Sequence, residues 1–327
     1  MYKIDSNKAV KIAHVTFSKL HMQENDIEEL LRSNIYMICE EEESMLIVGR
    51  QVRNALHGRS DLTAVDQDGN VVLIEIKRNL RDIESRKEAF EFQAIRYAAS
   101  YATIKDPDDL VNKIYAPYIE KYRSEFEHNS LTSTELGKRK LDEFLTVNGA
   151  ENSFNRSQKV VLVASDFDDQ TLSAVSWLNS NGVNMSCYKL IPYKINGEIY
   201  INVEKLLPLA SYDDYYVTFL ERSSGIKKPS GKKFTRRSLP KIVAMLEWGV
   251  VKEGDIIMAK DREDEGTLLS NGNVLVDGEE LSMQKWLKDI YGWSSIQTYV
   301  FAIHKDSGKA LSEIRREYLE KQAENVE

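Results

Sequence analysis

The sequence predicts an α/β first domain followed by a small α+β second domain. Three features carry that expectation. Apolar runs at 45–52, 59–66 and 71–77 are separated by turn signals and read as strands. A strand–helix–strand succession at 159–164, 171–179 and 183–190 suits an α/β sheet. From residue 238 onward the runs shorten and are broken by Asn271-Gly272-Asn273 and Asp277-Gly278, which mark tight turns. A chain of 327 residues is also long for one core.

Along the first domain, residues 8–20 open with a short strand. Residues 26–33 read as the first turns of a helix capped by Asn25 or Asp26, with Ile27, Leu30 and Leu31 on one side. Asp68-Gly69-Asn70 joins 61–66 to 71–77 as an antiparallel hairpin. A helix is predicted over 83–102. Residues 104–157, rich in Lys, Glu, Tyr and Asp, read as an inserted pair of helices. After the strand–helix–strand segment, Asn196-Gly197 signals another hairpin, and the domain closes near Leu209.

The stretch 210–237 reads as a basic linker. From 222 to 246 there are eight cations (Arg222, Lys227, Lys228, Lys232, Lys233, Arg236, Arg237, Lys241) and no Asp or Glu. Such a run is either a solvated linker or a phosphate-contacting segment. The second domain, 238–327, is predicted to hold a helix at 238–247, a strand at 256–259, a helix at 281–290, a last strand at 298–303 and a charged helical tail from Leu311.

Composition narrows the function classes. Charged residues make up 29% and apolar residues are plentiful, as in globular chains. No stretch approaches 18 continuous apolar residues and Met-Tyr-Lys-Ile-Asp has no apolar signal core, so a cytoplasmic protein is expected. Cys39 and Cys187 stand far apart, and His14, His21, His57, His128 and His304 form no cluster, so no zinc site is expected. The net charge of −8 argues only weakly against a nucleic-acid partner, because affinity follows the local field.

The chemistry concentrates at 61–77. Side chains alternate along a strand, so Glu75 and Lys77 share one face while Ile74 and Ile76 point into the core. A charge buried there must be paired or meet a metal. Asp61, separated from Glu75 by thirteen intervening residues and one hairpin away, can bring its carboxylate to that of Glu75. Two such carboxylates repel, and a divalent cation resolves the repulsion. Such a cation suits phosphodiester hydrolysis, with Lys77 orienting water or supplying positive charge. Glu-x-Lys alone is a common surface triplet, and a salt bridge on an edge strand is the competing reading. Gln93 and Tyr97, four apart on the following helix, can add an amide and a hydroxyl or ring, or can be ordinary helix residues. Glu28 can bring a further carboxylate, with Glu29 as its competitor for that role and a plain helix-start glutamate as the alternative.

These residues resemble the PD-(D/E)xK nuclease superfamily. The resemblance runs through Asp26-Ile27-Glu28, Ile47-Val48-Gly49-Arg50-Gln51, Gly58-Arg59-Ser60-Asp61-Leu62, the turn from Asp66 to Asn70, and Ile74-Glu75-Ile76-Lys77-Arg78. That order is similar to the catalytic domain of NucS-type endonucleases, and Gln93 with Tyr97 is similar to the QxxxY helix of RecB-like nucleases. The resemblance implies a restriction-endonuclease-like mixed sheet flanked by helices and a metal site of Glu28, Asp61 and Glu75. It further implies Lys77 as a catalytic partner, Mg²⁺ or Mn²⁺ as the cofactor, and DNA as the usual substrate. It covers 24–104 and, more loosely, 159–209; the insertion at 104–157 departs from the pattern, so substrate preference does not carry over.

The second domain resembles the RAMA module attached to restriction and modification enzymes. The similar residues are Ser238-Leu239, Leu246, Gly249, Gly254-Asp255, Asn271-Gly272, Val276-Asp277-Gly278 and Gly292-Trp293, with Ile296 near the place of a second tryptophan. This resemblance implies a DNA-contacting or modification-sensing role, with Trp286 and Trp293 as core or base contacts. The resulting expectation is a metal-dependent DNA endonuclease in restriction or host defence. Repair or recombination, RNA cleavage on the same fold, and non-catalytic binding are the alternatives. Double-strand cutting adds the expectation of a homodimer, because it needs two active sites.

Overall fold

The computed structural model describes residues 1–39, 41–54, 58–80, 83, 88–126, 130–209 and 239–324. Of the basic run, Lys241 falls within these and the other seven cations lie outside the described residues. The chain divides into two compact units. The first comprises Met1–Cys39, Glu43–Pro208 and Trp293–Ser295; the second comprises Glu40–Glu42, Leu209–Gly292 and Ile296–Glu327.

The first unit opens with a hairpin of β1 (Tyr2–Asp5) and β2 (Lys8–Lys11). Its main sheet is mixed and six-stranded, in the order β3 (Met45–Arg53), β4 (Arg59–Asp66), β5 (Val71–Lys77), β6 (Gln158–Ala164), β7 (Asn184–Ile195), β8 (Glu198–Leu207). β3, β4 and β5 run antiparallel in turn, β5–β6–β7 are parallel, and β8 returns antiparallel. The expected hairpin is present, with Leu62 opposite Ile74 and Val65 opposite Val71. Its turn is closed by Asp66, whose Oδ1 accepts from the Asp68 and Asn70 amides at 3.1 and 2.9 Å, while Gly69 takes φ +80°. The β7–β8 turn places Asn196 and Gly197 at φ 52° and 91°, the positive pair that a two-residue hairpin loop demands.

Every residue of β5 is buried, as expected of a strand with a parallel neighbour and cover on both faces. Val72, Ile74 and Ile76 are fully covered, and burying side chains of that size stabilises by about 1.5–3 kcal/mol each. Helix α1 (Glu24–Ser33) packs on β4 and β5, and α2 (Phe90–Tyr101) on β4, β5 and β6. Two expected boundaries move. α1 begins at Glu24, because Gln23 caps it in a reciprocal box with Asp26, so neither Asn25 nor Asp26 is the cap. α2 begins at Phe90, and residues 84–87 of the predicted helix lie outside the described residues.

The insertion comprises α3 (Pro107–Leu110), a π-turn at Val111–Tyr115, α4 (Ala116–Lys121) and α5 (Ser133–Val147). The π-turn and α4 pack on β3, the strand at one edge of the sheet. The approach is close at Gly49, where a Cβ would stand 2.7 Å from both Ile114 Cγ2 and Val52 Cγ2. α6 (Asp169–Ser180), capped by Asp168 onto the Thr171 amide at 2.8 Å, packs on β7 and β8. Late residues complete this unit: Trp293 meets Phe144 edge-on at 4.8 Å, and Ser294 Oγ accepts from the Ile47 amide at 3.0 Å.

In the second unit, α7 (Ile242–Glu247) precedes a six-stranded sheet. The strands are β9 (Ile256–Ala259), β10 (Glu265–Leu268), β11 (Val274–Val276), β12 (Glu279–Leu281), β13 (Ala302–His304) and β14 (Lys309–Ala310), arranged β12-β11-β10-β9-β13-β14. Helices α8 (Met283–Tyr291), α9 (Thr298–Phe301) and α10 (Leu311–Glu324) complete it. The helix expected at 238–247 starts at Ile242, after Pro240. The helix expected from Leu281 starts at Met283, because Leu281 pairs with Val274 and Ser282 caps. The predicted strand at 298–303 is instead the turn α9 followed by β13, since a short buried apolar run does not distinguish the two. Trp286 and Trp293 are both buried core residues, which removes them as exposed base contacts.

The Gly49 contact predicts that Gly49→Ala overpacks the β3 edge and costs about 1–3 kcal/mol. A urea titration should show a lower midpoint with an unchanged slope; an unaltered midpoint would show that the edge accommodates the methyl group.

Candidate metal centre

The antiparallel pairing of β4 and β5 ends with Leu62 opposite Ile74, and Asp61 and Glu75 are the next residues along the two strands. Asp61, Glu75 and Lys77 are all buried. Asp61 Oδ2 accepts from the Ile76 amide at 2.7 Å, which ties the carboxylate to the end of β5. Lys77 Nζ lies 3.8 Å from Asp61 Oδ2, donates to Glu24 Oε1 at 3.2 Å and to the Ile76 carbonyl, and rests over the Phe90 ring.

Helix α1 supplies the other carboxylates. Among the described residues, Glu24, Glu28 and Asp61 form a group in which one oxygen from each lies within 4.8 Å of the others. Glu28 is buried, and its Oε2 accepts from Gln51 Nε2 at 2.9 Å and Arg50 Nε at 3.2 Å. Gln51 holds a left-handed backbone, φ 54°, two residues past the β3 register shift between Ile47 and Gly49. That conformation costs a non-glycine residue about 1–2 kcal/mol and recurs at functional sites. Arg50 also reaches Glu29, the Asn25 side chain at 2.7 Å and the Tyr122 hydroxyl at 3.0 Å, so one guanidinium clamps α1 to the sheet and to the insertion. Glu29, the competitor of Glu28, is only partly buried and spent on Arg32 and Arg50.

The structure thus gathers Glu28, Asp61 and Lys77, with Glu75 on the neighbouring strand. Gln93 donates to the Tyr97 hydroxyl at 3.2 Å, a bond within α2. Tyr97 packs so closely on Gly58 that a Cβ there would run into its ring. Sequence reasoning missed Glu24. The signal was available, since Glu24 and Glu28 are four apart and share one helix face, but the helix was expected to begin after Glu24.

Burial pushes the Asp61 carboxyl up to about 6. Glu28 and Glu24 add to the shift, while Lys77 and the Ile76 amide oppose it. The Tyr101 hydroxyl, buried between Ser60 and Thr63 at 2.6 Å from each, is pushed up to about 12, chiefly by desolvation and also by the nearby Glu75 and Asp61 charges. The donor set suits a hard divalent cation, because three carboxylates converge and neither cysteine belongs to the group. Glu24, Glu28 and Asp61 are therefore a potential cation-binding group. Comparison with protein-family models, curated proteins and solved structures gave no match. No helix among the described residues is long and apolar enough to cross a membrane.

A raised folded-state value for Asp61 means that ionisation opposes folding. The protonated form carries no such cost below about pH 4, and stability falls as pH rises through about 6. Above that, the two-unit displacement corresponds to about 3 kcal/mol. Asp61→Asn keeps the acceptor for Ile76, so it should stabilise the metal-free protein at pH 7.5 by about 1–3 kcal/mol, with the gain vanishing near pH 4. Denaturant midpoints across that range measure it; a variant less stable at pH 7.5 would mean the charge is compensated.

Proposed function

We propose that the protein is a divalent-metal-dependent nuclease of the PD-(D/E)xK kind that hydrolyses DNA, with its second unit a RAMA-like accessory for DNA contact. Restriction or host defence, with two chains acting together on duplex DNA, is the setting this reading implies. The observation that carries it is the convergence of Glu24, Glu28 and Asp61 beside the buried cation Lys77.

In this reading Asp61 and Glu28 hold the cation, with Glu24 or Glu75 completing the set. When bound, it would polarise a phosphate oxygen and make water a better nucleophile at neutral pH. Lys77 lies between Glu24 and Asp61 and orients the attacking water. Arg50 and Gln51 fix the Glu28 carboxylate so that it does not swing away from Asp61. Hydrolysis then needs no covalent intermediate: a water oxygen bonds to phosphorus as the bond to the leaving sugar oxygen breaks, and a proton from that water ends on the leaving oxygen as a hydroxyl.

A second reading has support of its own. Glu28 already accepts from Arg50 and Gln51, and Glu24 accepts from Lys77, so the carboxylates could serve as a structural ion network in a non-catalytic nucleic-acid-binding protein. The two readings differ in what metal does.

Linear duplex, single-stranded and base-modified DNA, and RNA, incubated with Mg²⁺, Mn²⁺ or EDTA, provide the test. Cleavage should require the cation and fall by about 10²–10⁴-fold in Asp61→Asn and Lys77→Ala. Cutting of RNA alone would reassign the substrate, and binding without metal-dependent cleavage would select the structural network. Independently, Glu24→Gln should weaken Mn²⁺ binding in a calorimetric titration if Glu24 is a ligand. Unchanged affinity would leave that place to Glu75.

A further inference from the structure

Tyr122 stands just past the end of α4, in the insertion, and touches two arginines that lead to the carboxylate group. Its hydroxyl accepts from Arg50 Nη1 at 3.0 Å, and the Arg32 guanidinium lies over its ring, 4.1 Å from the centroid. Both arginine side chains are buried, at 8% and 7% exposure, so their contacts are made away from bulk water.

The Arg50 fork is used on every side. Nε reaches Glu28 Oε2 at 3.2 Å, Nη1 reaches Glu29 and Tyr122, and Nη2 reaches the Asn25 carbonyl and side chain at 3.1 and 2.7 Å. A guanidinium has five N–H donors in a rigid plane, and here each has an acceptor. Asn25, Glu28 and Glu29 all belong to α1, so contacts with them can travel with that helix. Tyr122 lies on neither α1 nor β3 and supplies the third point that fixes the plane. Arg32 repeats the connection: it holds Glu29 at 2.9 Å and reaches Tyr118 at 3.0 Å and Glu125 at 2.8 Å in the insertion.

The consequence falls on Glu28. Its Oε2 accepts from Arg50 and also from Gln51 Nε2 at 2.9 Å. With both donors on one oxygen, the other can serve as a monodentate cation ligand. The Glu28 side chain is 3% exposed, so little water can stand in for a lost donor. We propose that Tyr122 is a positioning residue for the cation group: by holding the Arg50 fork, it sets the angle at which Glu28 faces Glu24 and Asp61. The inference rests on reading those three carboxylates as a cation site and needs no nucleic acid. It places control of the site in the insertion, the segment in which this chain departs from the nuclease pattern it resembles.

The test is Mn²⁺ binding to the full chain, read from the electron paramagnetic resonance signal of free Mn²⁺. Tyr122→Phe keeps the ring against Arg32 and removes the hydroxyl, and it should weaken binding by about tenfold, as loss of a group that orients a metal ligand does. Tyr118→Phe removes the hydroxyl that accepts from Arg32 and should leave affinity within about twofold. Arg50→Lys keeps the charge and loses the fork. In that background Tyr122→Phe should bring no further loss, because the two residues act as one unit. Circular dichroism and urea titration check folding, and Arg50→Gln replaces Arg50→Lys if that variant does not fold.

Unchanged affinity in folded Tyr122→Phe, an equal loss in Tyr118→Phe, or additive losses with the Arg50 variant would each overturn the role. A lower urea midpoint with unchanged affinity would make Tyr122 a structural residue only. Wild-type protein that binds no Mn²⁺ would remove the cation site and this role with it. Mn²⁺ binding that follows the expected pattern, with no cleavage of any nucleic acid, would keep the role and remove the nuclease.

Discussion

Asp61, Glu75 and Lys77 are ionisable side chains withdrawn from water toward the open ends of β4 and β5, away from the turn that joins them, and the first unit is arranged around the cost of that burial. A central strand with parallel and antiparallel neighbours, covered on both faces, removes water from whatever its end carries. The apolar residues of the same strand supply the stabilisation that offsets it. The Ile76 amide and the Lys77 ammonium partly answer Asp61, yet its carboxyl still sits near 6. A group left this poorly compensated is consistent with the potential cation-binding group that it forms with Glu24 and Glu28.

Orientation comes from a different source than burial. Glu28 reaches the site from α1, a helix attached to the sheet by the Arg50 guanidinium and by Gln51 on its left-handed backbone. The insertion enters the same network through Tyr122, which accepts from Arg50, and through Tyr118 and Glu125, which accept from Arg32. A segment that reads in sequence as an interruption therefore helps set the angle at which a carboxylate of α1 meets Asp61.

Much of this was legible in the sequence, and the parts that were not share a cause. The β4–β5 hairpin, the strand–helix–strand segment and the Asn196-Gly197 turn rest on local signals, alternation and turn chemistry, and they stand where those signals put them. Glu28, Asp61 and Lys77 could be chosen because a charge in an apolar strand, or at a helix start facing one, demands an explanation. Glu24 escaped because Gln23 is an unusual cap and concealed the first turn of α1. The short helix Thr298–Phe301 was read as strand because a few buried apolar residues carry too little periodicity. The membership of Trp293–Ser295 in the first unit, and the packing of Ile114 on Gly49, are long-range pairings with no local signature.

The buried Asp61 has a consequence for descent. If the carboxylate serves the proposed function, a lineage that no longer needed it would gain stability from almost any neutral, size-matched replacement there, so selection for folding alone would erase the residue quickly. Retention of that carboxylate in an otherwise drifting relative would mark continued use. Under the proposed function, its replacement by asparagine would mark that function given up, in a descendant sturdier than its ancestor.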